Sequence, residues 1–523
     1  MRKLVLLSVL LASCGGGGGG GTITTPPPPG GGTSGWVQGV FKPASTFAAQ
    51  CAAPRTGNDA NGNPFPDRQG TVTSQNNWLR SWNNDLYLWY SEVTDLDPAN
   101  YSTSSAYFDL LKTTQLSSSG NPKDKFHFTY PTDKWLALSQ SGVDAGYGAH
   151  WLFIATRPPR KLVVAYVEVP SSAASAGLAR GAEVLSIDGV DLVNANDQAS
   201  IDKLNAGISP ATLGESHQFV VRDLNAAGTR SITLTSQSIT NASVMNVKVI
   251  NTASGNVGYL QFNDHLASAE KALVDAFTTL KSANVTDLVL DMRYNGGGYL
   301  DIANETAYMI AGGTATAGKT FEKVVFNDKY PNTNPVTGAT LSPDAFLSTT
   351  QGFSEPANQP LPTLNLSRVF VLTGGDTCSA SESVINGLRG ADIEVIQVGD
   401  TTCGKPYGFY PADNCGTTYF SIQFKGENAK GFGDYSDGFS PGAAAGTTTG
   451  PSLPGCLVHD DLTQAMGNEQ EARLAAALAY RTSPACPAVA MGAAKPDLGA
   501  DSLAAVTGKL VRPAVLENRL QRR

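Results

Sequence analysis

The residues best placed to do chemistry stand in Asp376-Thr377-Cys378-Ser379-Ala380-Ser381-Glu382-Ser383. They follow the apolar run Val369-Phe370-Val371-Leu372-Thr373-Gly374-Gly375 and precede Val384-Ile385-Asn386-Gly387-Leu388. A β-branched run, two glycines and a hydroxyl-rich start to a helical pattern predict strand, tight turn and helix, a turn able to present a serine. A plainer use of the same residues is a capping box. Ser379 and Glu382 have its spacing, with the serine oxygen accepting an early N–H and the glutamate reaching back. On this stretch alone the cap is the commoner outcome.

Two other stretches shift the balance. In Leu288-Val289-Leu290-Asp291-Met292-Arg293-Tyr294-Asn295-Gly296-Gly297-Gly298-Tyr299-Leu300 a strand runs into three glycines and then a helix. Consecutive glycines let backbone N–H groups converge on a small anion, so the turn is a candidate oxyanion hole. It lacks the G-x-G-x-x-G spacing of a dinucleotide site and the Gly-Lys-Ser/Thr of a Walker loop. A sharp turn without a ligand is its structural alternative. In Val395-Ile396-Gln397-Val398-Gly399-Asp400-Thr401-Thr402-Cys403-Gly404-Lys405-Pro406-Tyr407-Gly408 another short strand ends in a glycine-bounded loop with one lysine. Strands of one parallel sheet leave their C-terminal ends on a common edge, which would bring Ser379 and Lys405 together. A lone loop lysine is otherwise solvated.

Together these residues resemble the S41 serine peptidases, the C-terminal processing or tail-specific proteases. The family's Ser-Ala-Ser-Glu stands as Ser379-Ala380-Ser381-Glu382, its Asp-x-Arg-x-Asn-x-Gly-Gly as Asp291 to Gly298, and its Gly-Lys as Gly404-Lys405. The resemblance runs in order over roughly residues 75–480. It implies Ser379 as nucleophile, Lys405 as general base, and an oxyanion hole from the amides of Ala380 and Gly297, with Gly298 nearly as good a choice. It also implies an α/β fold with a ClpP/crotonase-like core, polypeptide C-terminal ends as substrates, and no cofactor or metal. Two departures stand out. The serine-to-lysine segment is about one residue longer than usual, most easily placed in the turn 389–392. A glutamine common one helical turn beyond the lysine is here Phe409, which leaves Lys405 without an identified orienting residue; Gln423 is a distant candidate.

The elements that must position these groups follow in chain order. Arg2-Lys3, the apolar run 4–11 and Leu11-Ala12-Ser13-Cys14 read as a secretory signal too short to span as a mature helix. The ending resembles a lipobox, which would make Cys14 a lipidated N-terminus on the periplasmic side of a bacterial membrane. A Gly/Pro-rich tether is expected over 15–60 and a helical N-terminal domain over 61–135, with Trp78, Trp82, Leu86 and Trp89 as one packed stripe. Short strands over 140–240 surround Ala176-Gly177-Leu178-Ala179-Arg180-Gly181 and a strand ending in Asp188-Gly189. This resembles a PDZ domain, in which Gly146, Tyr147, Gly148 and Ala149 would bind a peptide carboxylate. Strands and helices then alternate through a peptidase core at 245–485, closing with a helix through Leu474 and Leu478 that carries a solvated Glu469–Arg473 pair. A loosely ordered tail is expected over 486–523.

About five hundred residues beyond the signal suffice for two or three cores. A net charge of −8 with 16% charged residues excludes the basic patch that nucleic-acid binding requires. Oligomeric state is not legible. Seven cysteines without C-x-x-C or metal-like pairing with the five histidines fit an exported chain. Proximity in sequence suggests Cys403–Cys415 and Cys456–Cys486, leaving Cys51 for Cys378.

The expected chemistry is acyl transfer to Ser379. A free lysine has a pKa of about 10.4, so a base working near pH 7 needs a shift of about three units, which apolar burial can supply. Tyr407 and Phe409 are available for that role. Alternatives are a triad through His265, a Cys378 nucleophile, and a catalytically degenerate scaffold that binds polypeptide without cutting it.

Overall fold

The computed structural model describes residues 36–59, 62–117, 119–442, 450–486 and 518–521. Cys14 and the Gly/Pro run through residue 35 lie outside the described residues.

Residues 244–486 and 518–521 build the layer that carries the three motifs. In chain order its elements are β1 (Val244–Thr252), β2 (Gly255–Phe262), α1 (Ala269–Ser282), β3 (Asp287–Asp291), β4 (Gly297–Tyr299), α2 (Leu300–Thr316), β5 (Arg368–Thr373), α3 (Ala380–Gly390), β6 (Glu394–Gly399), β7 (Gly455–Cys456), α4 (Ala472–Thr482) and β8 (Asn518–Leu520). The main sheet has the order β1-β2-β3-β5-β6-β7. Only the β1/β2 hairpin is antiparallel; the other pairs are parallel.

Side chains of a strand alternate between faces, and this sheet is covered on both. Leu288, Leu290, Val369 and Val371 face one core with Phe277 of α1, Ile302 of α2 and Val384 of α3. Val289, Phe370, Leu372 and Ile396 face the other core with Leu474 and Ala477 of α4. The near-continuous apolar strands of the sequence are therefore the buried strands of a mixed α/β fold. Because β3, β5 and β6 run parallel, Asp291, Thr373 and Gly399 end on one edge, and the glycine turn, the serine turn and the lysine loop all leave from it.

The N-terminal domain is helical, as its tryptophan spacing predicts. Thr71 caps the helix Val72–Leu86, accepting the Ser74 N–H at 3.1 Å. Trp78 and Trp82 stack at 5.3 Å inside it. Trp89 lies past the helix end and packs edge-on against Tyr407 at 4.8 Å, in a different apolar cluster from Trp78, Trp82 and Leu86. The β-rich domain sheet has the order Arg230–Thr235, Ser216–Arg222, Glu183–Ile187, Lys161–Val167, Ala149–Ala155. All five strands fall within the stretch 140–240, where short strands are expected.

Several expectations are corrected. Order begins well before residue 61: Gln50–Cys51 pairs with Arg68–Gln69, and Cys51 is bridged to Cys415. The other bridges are Cys378–Cys403 and Cys456–Cys486. Only the last matches the expected pairing, because Cys403 and Cys415 are carried apart by the strands between them. Arg473 is not on a solvated face. It is buried against Asp400 at 2.5 Å, while Glu469 is exposed. The stretch 518–520 is a strand seated on β4, and not loose.

Candidate active site

Ser379 ends the turn between β5 and α3 with φ 64° and ψ −115°. That is a left-handed conformation that non-glycine residues rarely adopt, at a cost of about 1–3 kcal/mol that surrounding contacts must offset. Those contacts tie the serine turn to the glycine turn. Thr377 donates its hydroxyl to Met292 O at 2.8 Å, and both Cys378 N–H and the Ser381 hydroxyl donate to Asn295 O at 3.0 Å.

The capping box is half made. Glu382 Oε2 accepts the Ser379 N–H at 2.9 Å. Ser379 Oγ is buried with no hydrogen-bond partner among the described residues. The hydroxyl is thus not spent on the helix end.

Glu382 does more than cap. The same Oε2 accepts the Lys405 N–H at 2.8 Å, and Oε1 accepts the Thr402 hydroxyl at 2.5 Å and the Gly404 N–H at 2.9 Å. Burial pushes this carboxyl up, and the four donors, Thr402 foremost, pull against it. Four donors on two oxygens suit the ionised acceptor-only form. The backbone nitrogens of Ser379 and Lys405 share one oxygen, so their loops cannot separate. The Cys378–Cys403 bridge, Cα–Cα 5.1 Å, adds a second tie beside the first. It also removes Cys378 as a nucleophile, and it spends both sulfurs that stand with Glu382 in a metal-like trio.

Lys405 is fully buried, with Nζ 4.5 Å from the ring centres of both Phe126 and Phe409. Phe409, in place of the family's glutamine, therefore contributes a ring face. Phe126 comes from the N-terminal domain, and nothing in its local sequence signals this. Gln423 holds the backbone of Tyr410 in both directions at 3.2 Å.

The glycine turn is organised by Asn295. Its Nδ2 donates to Phe262 O at 2.9 Å, and its Oδ1 accepts the Gly297 N–H and faces His265 Nδ1, each at 3.0 Å. The Gly297 N–H is thus engaged. Since the neighbouring groups of β4 bond to His265, the Gly298 N–H faces the opposite side, over which β8 lies. With Oδ1 accepting, His265 carries its proton on Nδ1. His265 is buried, and burial lowers its pKa to about 3. It stays neutral across the working range.

Arg293 of the same motif is structural. It is buried between Asp291 and Glu471 and also meets Asp460 at 2.8 Å. Asp460 meets Arg180 of the β-rich domain at 2.7 Å. There, Tyr147 is buried with its hydroxyl on Gly207 O at 2.9 Å, and Gly148 O accepts the Glu168 N–H at 2.7 Å. Gly146 and Ala149 border this turn, and Ala149–Ala155 is an edge strand of its sheet.

These features meet in a peptidase scaffold, and comparison with known proteins agrees. The model for peptidase family S41 matches residues 256–408, and that for the S41 N-terminal domain matches residues 74–130. Over these two stretches, in the same order, the chain is similar to peptidase family S41. It is similar to carboxyl-terminal-processing peptidase 1, chloroplastic, of Arabidopsis thaliana, at 26% identity over 255 residues, 47% of this chain and 44% of that one. The match therefore spans less than half of that relative's length. A crystal structure of an S41 protease from Bacteroides fragilis shares the fold, with a TM-score of 0.56, 22% identity, and coverage of 80% of this chain and 99% of that one.

Proposed function

We propose that the chain is a serine peptidase that hydrolyses peptide bonds of polypeptides through Ser379 and Lys405. One observation carries the reading: an unpartnered serine hydroxyl on a strained turn is tied through a single carboxylate oxygen to the loop of a buried lysine. In the proposed reaction Ser379 Oγ bonds to the scissile carbonyl carbon while its proton passes to the neutral Lys405 amine. The tetrahedral oxygen is held by the Ala380 amide and an amide of the glycine turn. Gly298 suits that role better than Gly297, whose N–H already serves Asn295. The C–N bond then breaks as Lys405 returns the proton to the leaving nitrogen, and water repeats the sequence to release the acyl group.

The β-rich domain is read as PDZ-like, with residues 146–149 capturing a substrate's chain end beside the edge strand Ala149–Ala155. Export and a lipid anchor on Cys14 complete the proposal. No helix among the described residues is long and apolar enough to cross a membrane, so attachment would rest on that anchor, and Cys14→Ala should release the chain from membranes.

The test is digestion of an unstructured protein by the purified chain beside Ser379→Ala. Fragments from the wild type alone support the reading; equal cleavage by both, or binding without cleavage by either, contradicts it.

A further inference from the structure

The strand β4 has two edges. On one, the His265 N–H donates to Gly297 O at 3.0 Å and the Tyr299 N–H donates to His265 O at 2.8 Å. The Gly298 N–H and C=O therefore face the other edge. That edge is occupied by β8, paired in parallel with Gly297 opposite Asn518, Gly298 opposite Arg519 and Tyr299 opposite Leu520. β8 also packs against α3, the helix that Ser379 begins, and against Tyr407–Gly408 just beyond Lys405. Leu520 bridges to Phe409, and the Gln521 N–H approaches Phe409 O at 3.4 Å.

The strand thus touches all three motif segments at once. Leu520 is 1% exposed, in an apolar cluster with Phe126, Leu266, Cys378 and Phe409. Ser379, Lys405 and the glycine turn are buried as well. A site that must admit a polypeptide is closed, and what pairs with the second edge of β4 is an extended segment of this same chain. Extended peptides bind sheet edges by adding a strand, with main-chain bonds giving affinity and pockets giving side-chain preference.

We infer that Asn518–Leu520 is an intramolecular pseudosubstrate, occupying the β4 edge and apolar pocket that receive the polypeptide substrate and holding the site closed. The inference rests on the peptidase reading above and adds to it a mode of restraint and a substrate class, extended chains with a leucine-like side chain in the Leu520 pocket. A segment joined through the chain competes at an effective concentration on the order of a millimolar, so dilute substrates lose to it.

The test uses the full chain and two readings. The first is kcat/KM on an unstructured protein for wild type and Leu520→Asp. The second, independent of turnover, is binding of a fluorescent peptide of residues 514–523 to Ser379→Ala and to Ser379→Ala/Leu520→Asp. The expected result is a rise of about tenfold or more in kcat/KM and peptide binding at least about tenfold tighter once Leu520 is replaced. Unchanged or reduced values in both readings overturn the inference. Tighter binding with no turnover by any variant upholds the occupancy and counts against the peptidase reading instead. Should Leu520→Asp fail to fold, Leu520→Ala decides by the same readings.

Discussion

Ser379 and Lys405 hang from one atom: Glu382 Oε2 accepts the backbone N–H of the serine at 2.9 Å and that of the lysine at 2.8 Å. Glutamine at 382 keeps the shape but turns one of the two oxygens into a donor, facing two donors. Each N–H left unpaired in this buried site costs about 1–3 kcal/mol, and a shift of an ångström in the loops costs about a hundredfold in rate. Glu382→Gln should therefore lower kcat about a hundredfold while leaving KM within a few-fold, read from steady-state kinetics. A larger effect on KM than on kcat would speak against positioning.

The Cys378–Cys403 bridge closes a loop of 25 residues, for which chain entropy predicts about 3.5 kcal/mol. Removing both cysteines by alanine should lower Tm and depress turnover together, because the bridge flanks both site residues. Removing Cys51 and Cys415 should lower Tm with kcat retained at permissive temperature. Equal turnover in the two double variants would sever the bridge from the site.

Gly298 has φ +141°, and an added Cβ would stand 2.4 Å from His265 O. Gly298→Ala must open β4 away from His265 and swing its N–H out of line. Loss of one oxyanion donor costs about 10²–10³ in kcat, and that is the expected deficit, with thermal unfolding confirming a folded chain. A fully active Gly298→Ala would remove this turn from the mechanism.

Stability should fall on the alkaline side for a reason outside the site. Glu305 of α2 is buried beside Glu270, whose carboxylate already accepts the N–H groups of Gln351, Gly352, Ser354 and Glu355. Burial first, then the charge of Glu270, raise Glu305 to about 9. Between its ordinary value of 4.5 and about 9 the folded chain keeps a proton that the unfolded chain loses. Stability from this group is whole below that window and is lost as pH rises through it. Calorimetry should show Tm of the wild type declining from pH 6 to about 9 more steeply than that of Glu305→Gln. Parallel curves would contradict this.

Much of the site was legible because its determinants are local. The run 369–375 and the hydroxyls after it place strand, turn and helix within a residue or two, and the alternation of strands and helices gives the α/β core. What stayed hidden depends on chain paths that local pattern does not encode. Cys403 and Cys415 are twelve positions apart but face different partners, Cys378 and Cys51. Phe126 reaches Lys405 across about 280 positions. Glu382 has the spacing of a cap, and no spacing rule reveals that its carboxylate also gathers the lysine loop. Arg473 reads as half of a surface pair because the buried Asp400 that claims it lies seventy-three positions away.

The central claim is that Lys405, and not His265, takes the proton of Ser379. Both are buried, and His265 is held neutral with its pKa near 3. The most direct measurement is kcat on an unstructured protein for Lys405→Ala beside His265→Asn. The account predicts loss of at least about a thousandfold for the lysine variant and less than about tenfold for the histidine variant. Retained turnover without Lys405, together with collapse in a folded His265→Asn, would contradict it.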